Sequence, residues 1–175
     1  MKTTLVYGAG IAIGGAILTL VFYLLGYHTD VEKFQTGQRA GMLWYLILII
    51  GLVLGLRAVR ESSPDRSLSY GRGVGSGALI SLWTGIFSAV FTIIYAKLIN
   101  PRFGDTMLAF QEAQMTEKGM TAEQIEQAAG FMRLFSNPVI VAVASILGTL
   151  VIGTVFAVVI ALFVKRAPAP NAAPV

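Results

Sequence analysis

Four long apolar runs dominate the chain, and charged residues stand at their edges. They lie between Lys2 and Asp30, Arg39 and Arg57, Arg72 and Lys97, and Arg133 and Lys165. A hydrocarbon layer about 30 Å thick is crossed by about 20 apolar helical residues, so each run is long enough to span. Strands are excluded, because four of them would leave backbone groups unpaired in lipid. The pattern predicts membrane helices at about 4–26, 40–57, 73–99 and 138–164. The second is short and suffices if Arg39 and Arg57 reach toward the interfaces. The first is longer than a signal peptide's apolar region and ends without a small-residue cleavage site, so it is expected to be retained.

Two Asn-Pro pairs punctuate the second half. Before Pro101 the helical conformation is disfavoured, so the third helix should stop near Asn100. Pro138 fits a first helical turn, with Ser136 or Asn137 placed to cap the free amides. Between the pairs a helical segment is expected at about 104–135, broken at Gly119. Thr121 and Gln124 are spaced as a capping box, and Met120 and Ile125 as its hydrophobic staple. Ile125, Ala128, Ala129, Met132 and Phe135 then share one helical face, opposite Glu123, Glu126 and Arg133. That face must be covered by the bundle, the lipid interface or a partner, and it is a candidate surface or partner contact. The fold class expected is all-α: an integral membrane four-helix bundle with an extramembrane helical hairpin between the third and fourth membrane helices. The single domain should occupy 1–166, and the proline-rich stretch 167–175 should be a disordered tail.

Composition agrees with lipid as the solvent. Of 175 residues, 55% are hydrophobic and only 13% charged, half the usual charged fraction of about 25%; the mean hydropathy is +0.73. A net charge of +4 suggests nucleic acid at first sight. The basic residues, however, flank apolar runs and so report membrane topology. With the N-terminus inside, Lys2, Arg57, Arg60, Arg66, Arg72, Lys165 and Arg166 face the cytoplasm. Four of these arginines sit in one short loop, which favours both termini inside. The chain has no cysteine, which excludes disulfides, thiolate metal sites and cysteine nucleophiles.

The string Tyr95-Ala96-Lys97-Leu98-Ile99-Asn100-Pro101 closes a Gly/Ser-containing membrane helix. A helical loop follows, then Asn137-Pro138, a helix with Gly148 and Gly153, and a basic close at Lys165 and Arg166. In this order and spacing the chain resembles the bacterial membrane-protein family called domain of unknown function 4199, over nearly its whole length. The resemblance implies a four-helix integral membrane protein of the bacterial inner membrane. It implies no activity.

No Asp, Glu, Lys, Arg or His occupies the centre of a membrane segment, which speaks against proton- or ion-coupled transport. Ser81, Thr84, Ser88 and Thr92 lie on one face of the third helix, where a water-accessible seam would mark a channel. Bonding of these hydroxyls to helix backbone is the simpler expectation. His28, the only histidine, reads as a solvated loop residue, and no metal, cofactor or catalytic constellation accompanies it. The glycines of Gly71–Gly77 lack the Lys-Ser/Thr of a phosphate loop. Gly10 with Gly14, Gly51 with Gly55, and Gly73 with Gly77 have the spacing that lets helix backbones approach. Arg57, Arg60, Arg66 and Arg72 are candidates for lipid-headgroup contact, although Glu61 and Asp65 dilute them. The expected partners are membrane lipid and a protein partner or a second copy, with no nucleic acid. The expected function is that of a non-enzymatic membrane component that binds a partner or supports structure. The alternative is a small oligomeric channel or carrier.

Overall fold

Residues 2–24 contain no proline, and their charges are confined to Lys2, so the first run can coil into one helix in lipid. In the computed structural model, which describes residues 1–135 and 137–167, this is α1 (Lys2–Leu24). It is followed by α2 (Val31–Ala40), α3 (Leu43–Glu61) and α4 (Tyr70–Ile94), the last extended by one π-helical segment, Tyr95–Ile99. Then come α5 (Phe103–Glu117), α6 (Ala122–Phe135) and α7 (Pro138–Val164). The spans long and apolar enough to cross a membrane are Lys2–Leu24, Val31–Glu61, Tyr70–Ile99 and Pro138–Val164. The fold is an all-α bundle, and the chain is a membrane protein.

Large apolar side chains point outward as well as inward. On α7, Val143, Leu147, Val151 and Val155 form an exposed stripe, with Leu147 60% exposed. Water would not tolerate such a stripe; lipid does. The usual inside-out argument therefore cannot say which face packs, and small residues take over that role.

One compact unit comprises, among the described residues, 1–15, 44–88 and 145–167. At its centre α3 turns Leu48, Leu52 and Leu56 fully inward against Ile80, Ile11 and Ile160. The closest approach is between α4 and α7. A Cβ added to Gly77 would strike the Cβ of Ala157, and one on Gly153 would strike Ser81. At Gly73 it would stand 3.1 Å from the Cβ of Ala161, and at Gly85 only 2.9 Å from the Cα of Ile146. Positions 73, 77, 81 and 85 thus descend α4 by fours while their partners on α7 ascend, which makes an antiparallel ladder of small residues. Gly8 brings α1 near to α4 in the same way: a Cβ added there would stand 2.9 Å from the carbonyl oxygen of Ile80. The buried hydroxyls join this packing: Ser81 donates to Gly77 O at 2.8 Å, and Thr84 to Ile80 O at 2.9 Å and Gly8 O at 3.3 Å. A short bridge also ties Leu68 to Arg166 through both amides, at 2.9 and 3.0 Å.

Of the glycines picked out by spacing, Gly51 meets Ile11, Gly55 meets Ile80 and Tyr7, and Gly14 meets Ile47. Gly10 is the correction. It is exposed, and a Cβ there would meet nothing within 4 Å, because α1 turns this position away from its neighbours.

The second unit comprises residues 16–43 and 89–144. It holds α2, a helix that spacing alone did not suggest. Asp30 caps it by accepting from the Glu32 amide at 3.0 Å, and Phe34 and Gly37 are its buried face. Phe34 packs on Phe110 of α5, ring centroids 5.0 Å apart. Helix α6 lies against α5, and along its stripe Ala129 is buried while Ile125, Ala128 and Met132 are half-buried. The Phe135 side chain and the tail from 168 onward lie outside the described residues. The capping box closes as its spacing requires: Gln124 accepts from the Thr121 amide at 2.9 Å, and Thr121 from the Gln124 amide at 3.3 Å. At α7, Asn137 accepts from the Val139 amide at 2.9 Å.

Because backbone atoms of Ile146 oppose Gly85, Gly85→Ala should destabilise the protein in detergent by about 1–3 kcal/mol, the usual cost of overpacking. Gly10→Ala and Gly148→Ala face open space and should stabilise it by about 0.5–1 kcal/mol through helix propensity. Thermal melts of the three variants check this, and equal shifts would contradict the packing.

Candidate functional site

The ends of two helices build the site in the second unit. Helix α1 stops in a glycine cap: Gly26 takes φ 81°, its amide donates to Tyr23 O at 3.0 Å, and the Tyr27 amide donates to Phe22 O at 2.9 Å. This reversal turns His28 back onto Phe22, edge to face at 5.9 Å. At the end of α4 the ladder widens by one residue, and the Asn100 amide donates to Tyr95 O at 2.7 Å. Asn100 must leave the helical conformation because Pro101 follows, and it does so at φ −134°, ψ 75°. Single π-turns of this kind recur at functional sites.

The wider turn sets Tyr95, Asn100 and His28 in one hydrogen-bonded group. The Asn100 Nδ2 amide donates to Tyr95 Oη at 3.2 Å and to the backbone carbonyl of His28 at 3.1 Å. Tyr95 Oη lies 2.7 Å from His28 Nδ1. With the amide donating, the tyrosine hydroxyl is free to give its own proton to Nδ1. In that arrangement the imidazole is neutral, with its proton on Nε2. Burial acts the same way, lowering the His28 pKa from its ordinary 6.5. Phe103 closes on the ring edge to face at 5.0 Å, and Tyr95 at 5.8 Å. His28 is therefore not the solvated loop residue expected; the glycine turn folds it into an aromatic cluster.

Beside this group lies a cavity of about 390 Å³. Phe91, Tyr95, Phe103, Met107, Pro138 and Val141 supply most of its wall, while Thr19, His28, Thr92 and Asp105 supply polar atoms. Asn100 and Pro101, expected as helix punctuation, do that work and also position the site. Among the described residues no three His, Cys, Asp or Glu converge as metal ligands. In chemical terms the pocket is an apolar slot with a neutral imidazole, a phenol and hydroxyls at its margin.

The hydroxyl face of α4 divides. Ser81 and Thr84 are fully buried and bonded to backbone, whereas Thr92 lines the cavity. The arginines divide too: Arg57 and Arg60 line one groove with Val53, Ile160 and Phe163. Arg66 sits in the connecting loop at φ 51°. Asp65 beside it has its pKa lowered, chiefly by the hydrogen bonds from Ser67 and in smaller part by the Arg72 charge.

A histidine whose folded pKa lies below its unfolded value binds protons more readily when unfolded. Stability is then complete above about pH 6.5 and falls as pH drops through that value. With one histidine in the chain, the slope between pH 6.5 and 5 should belong to His28. Thermal melts of the wild type should decline over this window, and those of His28→Gln should stay flat. An identical slope in both would remove His28 from the explanation.

No curated protein and no solved structure matches the chain. A family profile does, over residues 6–166, and its match spans both helix units and each of the elements that build the cavity. The chain belongs to the family described as protein of unknown function DUF4199.

Proposed function

We propose that this is a non-enzymatic membrane protein that binds a small, mainly apolar molecule in the His28–Tyr95–Asn100 cavity. The observation that carries the reading is the π-turn that brings Tyr95 and Asn100 onto His28 beside a largely apolar pocket. Apolar pockets with a few convergent polar groups are the usual form of ligand sites. The Nε2 proton and the threonine hydroxyls would orient one polar group of the ligand, and the aromatic rings would hold its body. A channel is less well supported, because Ser81 and Thr84 spend their hydroxyls on backbone inside a packed core.

The binding test uses 2-naphthol, a planar apolar molecule with a single hydroxyl and its own fluorescence. Saturable binding is expected for the detergent-purified protein. Ala96→Phe, which fills the cavity wall, should abolish it, and Tyr95→Phe should weaken it. Equal signals from wild type and Ala96→Phe would mean partition into micelles, and the reading would fall.

We also place the protein in a cytoplasmic membrane with both termini inside. Arg57, Arg60, Arg66 and Arg72 cluster near one connection, and short basic loops stay on the cytoplasmic side. Single cysteines introduced as Ser62→Cys and Thr116→Cys occupy exposed positions in a chain without native cysteine. In right-side-out vesicles an impermeant maleimide should label the second and not the first. Labelling of both, or the reverse, would overturn the orientation.

A further inference from the structure

The groove between α3 and α7 joins two chemistries that seldom meet by accident. Arg57 and Arg60 are three residues apart on α3, so both guanidinium groups lie on one face. Val53, one turn before Arg57, and Ile160 and Phe163 of α7 continue the same groove as an apolar wall, and the space measures about 420 Å³. Phe163 is 83% exposed, an arrangement that requires an apolar covering.

Neither arginine is spent on a carboxylate. Among the described residues neither of them forms an ion pair, and Glu61, which lines the groove with them, forms none either. Arg60 donates from Nη1 to the carbonyl of Val164 at 3.4 Å, which anchors its side chain at the carboxyl end of α7. A guanidinium has five N–H donors, so four remain on Arg60. Arg57 is exposed with its full set. Two forked cations at the end of membrane-spanning helices, above an apolar wall, match a phosphate that carries hydrocarbon.

We propose that this groove is a binding site for one acidic glycerophospholipid, its phosphate held between Arg57 and Arg60 and an acyl chain laid along Val53, Ile160 and Phe163. The site is separate from the His28 cavity and does not depend on what binds there. The net charge of Arg57, Arg60 and Glu61 is +1, which selects an anionic headgroup over a zwitterionic one.

The test measures the thermal stability of the full chain in detergent with added phosphatidylglycerol, phosphatidylcholine, glycerol phosphate or inorganic phosphate. Phosphatidylglycerol should raise the melting temperature saturably, and the other three should leave it unchanged. Arg57→Gln keeps the Arg60–Val164 bond and should weaken lipid affinity about fivefold, and Arg57→Gln with Arg60→Gln about 25-fold. Arg66→Gln with Arg72→Gln removes the same charge outside the groove and should keep wild-type affinity. Equal losses in the two double variants would reduce the effect to diffuse surface charge and overturn the site. Undiminished affinity in Arg57→Gln and in the groove double variant would also overturn it. A matching shift with inorganic or glycerol phosphate would exclude a lipid as the occupant.

Discussion

Close approach of α4 and α7 is the constraint on which the bundle rests. Lipid tails are as apolar as the side chains they touch, so burying leucine between helices yields little net drive. What remains is contact density, and contact requires backbones to come near. The ladder Gly73–Ala161, Gly77–Ala157 and Ser81–Gly153 permits that. It also fixes rotation, since turning α7 by one position would bring a large side chain such as Val158 or Ile152 against α4. Ser81 fits this surface only because its hydroxyl returns to Gly77 O, leaving no unpaired polar atom in the interface.

The second unit is held by different means. Here aromatic rings predominate: Phe34 on Phe110 and Phe103, His28 on Phe103, and Tyr95 on Phe103 and Phe91. The two pairs on Phe103 from His28 and Tyr95 are edge to face and the others tilted, and aromatic pairs add about 0.5–1.5 kcal/mol each beyond their buried area. They suit a region of short helices, where few small-residue ladders can form. The polar trio of His28, Tyr95 and Asn100 is tolerated inside it because every donor among them has an acceptor, apart from the imidazole Nε2 proton beside the cavity.

The two arginine-bearing stretches show how one charge type serves two ends. Arg66 belongs to a connection that Asp65 and Ser67 already organise, and Arg72 to the first turn of α4 that follows it. Arg57 and Arg60 instead continue the face of a spanning helix and overlook its apolar neighbour. Their difference lies in location alone, which a count of basic residues per loop cannot register.

Local rules carried much of the architecture. Four spans, the stop at Asn100, the start at Pro138 and the capping box at Thr121 depend on residues within a few positions of one another, and they are legible for that reason. Helix α2 was also local, with Asp30 as its cap, but only Phe34 and Gly37 mark its buried face, too few to display a period. The rest was decided by tertiary structure. Spans such as α1 and α7 are apolar all round, so nothing in their periodicity says which glycine packs and which, like Gly10, looks outward. His28 meets Tyr95 across 67 positions and Asn100 across 72. No spacing rule reaches that far, because the pairing exists only once a glycine turn and a π-turn on separate helices come to the same place.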